Sequence, residues 1–63
     1  MFVRFENYLI PVEKVLCARI HNEKNGSCIV VDLIGEKWVA SERKPIEEIE
    51  KIFQKLLDDL NNK

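Results

Sequence analysis

The chain holds only two glycines, Gly26 and Gly35, and each interrupts a run rich in β-branched residues. Nothing else in the sequence constrains the fold as much, because a tight turn fixes the register of the strands it joins. Register in turn decides which face every side chain occupies. Asn25-Gly26 is a strong hairpin signal, a type I′ turn in which both residues tolerate positive φ. Ile34-Gly35-Glu36-Lys37 reads as a second tight hairpin, with Gly35 opening a type II′ turn. The first turn predicts Ala18 opposite Leu33, Ile20 opposite Val31 and Asn22 opposite Ile29. The second predicts Leu33 opposite Trp38 and Val31 opposite Ala40. All of these residues then share one apolar face, which places Trp38 in the core.

That face needs a cover, and the end of the chain supplies one. Ile46, Ile49, Ile52, Phe53, Leu56, Leu57 and Leu60 recur at helical spacing as a single apolar stripe. Pro45 suits the first helical position, and Glu47 and Glu48 follow it near the positive end of the helix dipole. Upstream, Pro11 separates a first strand from a second that starts near Val15. The predicted fold is α+β: a four-stranded antiparallel meander with one C-terminal amphipathic helix packed on one face. The strands are predicted at about 2–10, 15–23, 27–34 and 37–43, and the helix at about 45–61. Residues 1–63 form a single domain, since domains rarely fall below about 50 residues. No apolar run approaches the roughly 20 residues that span a bilayer.

The opposite face of the meander is the candidate surface. It is predicted to carry Cys17, Arg19 and His21, then Cys28, Val30, Asp32 and Ile34, then Lys37, Val39 and Ser41. Arg19 falls directly opposite Asp32, and a tight Pro11 connection sets Arg4 against His21 and Glu6 beside Arg19. Arg4, Arg19, His21, Asp32 and Ser41, with Arg43 nearby, are the candidate ligand-binding residues, suited to gripping a phosphate or carboxylate. Val15, Cys17, Cys28, Val30, Ile34 and Val39 make the same face apolar enough to need a partner, so they are the candidate interface. Cys17 and Cys28 lie far apart along the strands, which excludes an internal disulfide. Two free thiols and no signal peptide at Met1-Phe2-Val3-Arg4 imply a reducing, cytoplasmic setting.

Several activities lack their residues. Two cysteines and one histidine fall short of a zinc set, so no metal is expected. Neither glycine belongs to a phosphate loop, and no cofactor is expected. His21 has no nucleophile–acid constellation around it in the sequence, so the chain reads as non-catalytic. Ten Lys/Arg against eleven Asp/Glu disfavour a nucleic-acid binder, whose charge is usually positive, and leave it as the third reading.

The order Tyr8-Leu9-Ile10-Pro11-Val12-Glu13-Lys14-Val15, then Ile29 to Val39, then Ile46-Glu47-Glu48-Ile49-Glu50-Lys51-Ile52 resembles the small FlbD-like/SwrD proteins of bacterial flagellar operons. The resemblance implies a flagellar context and supplies no catalytic residues. Small phage-encoded inhibitors have a similar size and plainness. The expected function is that of a homo-oligomeric regulatory protein, a dimer, which binds a partner protein through its open sheet face or an edge. The alternative is a protein that sequesters a small anion or nucleotide where protomers meet.

Overall fold

The computed structural model describes residues 1–35 and 37–61. Glu36, the second central residue of the predicted Gly35-Glu36 turn, lies outside them, as do Asn62 and Lys63. The chain folds as α+β, with two antiparallel sheets and one C-terminal helix. β1 (Phe2–Phe5) and β2 (Tyr8–Pro11) form a two-stranded hairpin, and β3 (Val15–Glu23), β4 (Gly26–Leu33) and β5 (Val39–Ala40) form a three-stranded sheet in that order. α1 spans Ile46–Asn61.

The single first strand expected over 2–10 is broken in two. Phe5 pairs with Tyr8 across a Glu6-Asn7 turn, and Glu6 takes a φ of 56°, which lets the chain double back. β1 therefore pairs with β2 and not with the strand that carries Arg19 and His21. Arg4 lies opposite Leu9, so the predicted Arg4–His21 and Glu6–Arg19 neighbours do not form. Alternation still governs β1: Val3 and Phe5 point into the core while Phe2 and Arg4 are exposed. After Pro11, a single 3₁₀ turn over Val12–Lys14 leads into β3.

The β3–β4 hairpin turns one step earlier than predicted. Glu23 pairs with Gly26, so Lys24 and Asn25 make the turn, and Ala18 opposes Val31, Ile20 opposes Ile29 and Asn22 opposes Ser27. Each partner is shifted by two residues, which leaves the side chains of β3 from Cys17 onward, and those of β4 opposite them, on their predicted faces. Gly26 answers a different need. Its φ is 125°, and a Cβ there would sit 3.0 Å from the Lys44 carbonyl oxygen, where the chain re-approaches β4 through a Ser27–Lys44 bridge. At the other end of β3, the register shifts between Val15 and Cys17. Leu16 is the extra residue; it is exposed, and Val15 turns into the core instead of joining the predicted interface.

β5 departs further. Val30 opposes Ala40 and Val31 opposes Val39, a slip of one residue from the prediction. One residue is enough to invert a strand. Val39 packs on the core rather than on the open face, and Trp38, expected in the core, is 60% exposed. The reason is loop length: the chain between Leu33 and Val39 is longer than a two-residue turn, so it does not return in the register that such a turn imposes. Only Val39–Ala40 of the predicted 37–43 strand forms as a strand.

One core joins all layers. Val3, Phe5, Ile10, Ile29, Val31, Leu33, Ile49 and Leu56 form a single buried cluster, so hairpin, sheet and helix share the same apolar contacts. Pro45 sits just before the helix, and its carbonyl accepts the first helical bonds from Glu48 and Ile49 N–H groups at 3.0 and 3.1 Å. No helix among the described residues is long and apolar enough to cross a membrane.

Candidate functional site

The sheet face turned away from the helix carries an open depression of about 770 Å³. Its floor comes from strand alternation. Ile29, Val31 and Leu33 of β4 point to the core, so Cys28 and Val30 point the other way, and Ala40 of β5 stands beside Val30. Cys28 and Val30 are only 9% and 7% exposed, because they lie on the central strand with β3 and β5 side chains on either flank. Trp38 lines the depression from the β4–β5 connection.

The rim is charged with both signs. Arg19, His21 and Glu23 line it from β3, and Glu42 and Arg43 from the segment after β5. These charges are largely matched among themselves. Glu23 pairs through one carboxylate oxygen with Arg43 Nε, and its other oxygen lies 3.4 Å from His21 Nε2. Arg19 lies 3.6 Å from Asp32 Oδ1, a pair exposed enough to contribute roughly 0–1 kcal/mol. The second Asp32 oxygen accepts a hydrogen bond from the Cys17 thiol at 2.9 Å. That bond, then desolvation, then the repulsion of the Asp32 charge raise the Cys17 pKa above its ordinary value, against the smaller pull of Arg19. The hydrogen bond to Asp32 thus favours the thiol over the thiolate, and the thiol is the less nucleophilic form of the sulfur.

Of the predicted ligand-binding residues, Arg19, His21, Ser41 and Arg43 meet around this depression, and Asp32 adjoins it through Arg19. Arg4 is elsewhere, lining a smaller hollow with Lys44, Lys55 and Asp59 between hairpin and helix. Ser41 ties the segment after β5 to β4, since its hydroxyl accepts the Ile29 N–H at 2.9 Å and donates to the Glu42 carbonyl at 3.1 Å. Of the predicted interface residues, Cys28 and Val30 form the floor, Cys17 is exposed on the same face and Ile34 is exposed just beyond β4. Cys17 and Cys28 are both free. Trp38, Ala40, Glu23 and Glu42 belong to the site without having been predicted there; the one-residue slip of β5 hid the first two. Among the described residues no cluster of His, Cys, Asp and Glu is arranged to hold a metal ion. Comparison with family models, with curated proteins and with solved structures finds no match for this chain.

Proposed function

We propose that the chain is a non-catalytic binding module whose open sheet face takes an apolar segment of a partner protein. The observation that carries this reading is Trp38, 60% exposed beside a floor of Cys28, Val30 and Ala40. An exposed tryptophan against an apolar floor is the composition of a binding hot spot, where aromatic anchors contribute most of the affinity. Rim charges of both signs suit a peptide, which itself carries both, and fix its orientation. The raised pKa of the Cys17 thiol supports a binding role over a covalent one. A flagellar operon, the setting that the sequence resemblance implies, would offer protein partners for such a module.

Anion or nucleotide sequestration has weaker support. Arg19 and Arg43 each already face a carboxylate, so a phosphate would have to displace Asp32 or Glu23. Trp38 is the sole tryptophan, and its emission reports directly on the site. Peptides selected from a displayed random library against the folded protein are expected to shift that emission to the blue. Binding should weaken by about 2 kcal/mol or more in Trp38→Ser, with little loss in Leu9→Ser, an exposed apolar change on the hairpin. Selected peptides that bind Trp38→Ser as well as the parent would defeat the proposal. A thermal shift with nucleotides, lost in Arg19→Met, would favour sequestration instead.

A further inference from the structure

The outer rim of β3 is a free sheet edge. The strand order is β3-β4-β5, and no strand lies beyond β3 among the described residues. Register shows which backbone groups this edge offers. Ile29 directs its N–H to the Ser41 hydroxyl and its C=O to the Ser41 N–H, and Ser27 exchanges both backbone groups with Lys44. Their opposite residues on β3, Ile20 and Asn22, therefore make no ladder bonds to β4, and the N–H and C=O of each point outward. Natural edges are usually blunted by proline, a bulge or inward charge. Between Cys17 and Glu23 there is no proline and no register shift; the shift at Leu16 lies past the end.

We infer that two copies of the chain join antiparallel through their β3 edges, with His21 at the two-fold axis and Arg19 of each copy opposite the partner's Glu23. Backbone parity and charge select this register. An outward residue of one copy must face an outward residue of the other, so Ile20 can oppose the partner's Asn22, the partner's Ile20 or the partner's Ala18. With the partner's Ala18, Arg19 meets the partner's Arg19. With the partner's Ile20, Arg19 meets the partner's His21 and no oppositely charged pair forms. With the partner's Asn22, Arg19 and Glu23 pair reciprocally at both ends of the contact, as directly opposed cross-strand neighbours. The order Arg19, His21, Glu23 is its own charge complement when reversed about its centre, which is why the occupant is a second copy. The new pairs also extend existing ones: Asp32 to Arg19 in one copy continues through the partner's Glu23 to the partner's Arg43. Arg19 and His21 line the open-face depression, so the seam joins two depressions into one groove. That joining rests on the proposed binding role of the face; the dimer itself does not.

Sedimentation velocity on the full chain tests the pairing. A dimer is expected, weakened about tenfold or more by either Arg19→Glu or Glu23→Arg, and restored when both changes are combined. Cross-linking gives a second readout that does not depend on charge. In a Cys17→Ser, Cys28→Ser background, which also removes the thiol directly opposite residue 21 within the same chain, His21→Cys should form a disulfide-linked dimer on mild oxidation, because residue 21 faces itself where opposed Cα atoms lie about 4.5 Å apart. Asn22→Cys, on the other face and not opposite itself, should stay unlinked. A monomer at about millimolar concentration, indifference to both single reversals, or linking through Asn22→Cys in preference to His21→Cys would each overturn the inference. Peptide binding by a monomer would separate this failure from that of the open-face reading.

Discussion

Asp32 holds two groups with one carboxylate, facing Arg19 through Oδ1 and accepting the Cys17 thiol through Oδ2. The arrangement follows from register alone, since Cys17 is directly opposite Asp32 and Arg19 is its neighbour along the same face. A thiol that donates to a carboxylate loses that bond on ionising and gains repulsion from the negative charge, so its pKa rises. In a Cys28→Ser background, the alkylation rate of Cys17 is expected to climb with pH later than that of a free cysteine. Asp32→Asn should move the profile to lower pH and speed the reaction near neutrality. Identical profiles for the two proteins would mean that the bond does not persist in solution. The sequence exposed this face of β3 and β4 correctly, yet it set Arg19 directly opposite Asp32, with Glu6 as a further neighbour of Arg19, where the structure sets Arg19 opposite Val30. The two-residue shift of the hairpin is what brings Cys17 opposite Asp32.

Among the elements, the two glycines are the instructive pair. Both have positive φ, but only Gly26 has a neighbour in the way: its missing Cβ leaves room for the Lys44 carbonyl, whereas a Cβ at Gly35 would meet nothing within 4 Å. Gly35→Ala should therefore cost about 1–2 kcal/mol of stability from backbone strain alone. Gly26→Ala should cost more, because strain is joined by a clash and the Ser27–Lys44 bridge must open. Urea denaturation of the two variants distinguishes them, and equal losses would show that the bridge contributes nothing. The same pair explains what was legible in the sequence. Periodicity located the helix from Ile46 onward and the faces of β3 and β4, because a stripe or an alternation survives a shift of two. The face of β5 was not legible. It depended on the length of the loop after Leu33, and a glycine signals that a chain turns without saying how many residues it uses. Trp38 and Val39 exchanged places on that account, and the tryptophan moved from core to site. The Glu6-Asn7 turn was missed for a related reason, since glutamate at positive φ leaves no compositional sign.

At the scale of the whole molecule, the chain exposes 4718 Å², where a compact monomer of 7.4 kDa would expose about 4,200 Å². Its stability then rests on few residues. A chain of 63 residues is expected to be stable by about 3–9 kcal/mol, and one buried cluster must supply most of that. Ile49 is fully buried where α1 packs on the sheet, so Ile49→Ala should remove about 2–5 kcal/mol. For a domain of this size that corresponds to a melting temperature lower by about 10 °C or more. Oligomerisation adds a second expectation, because association stabilises the folded state by mass action. If β3 edges pair, the melting temperature of the parent rises with protein concentration, and Ile49→Ala recovers part of its loss at high concentration. Calorimetry across a concentration series measures both effects. A drop under about 3 °C would show that Ile49 is not at the centre of the fold, and a melting temperature independent of concentration would show that the core stands without the second copy.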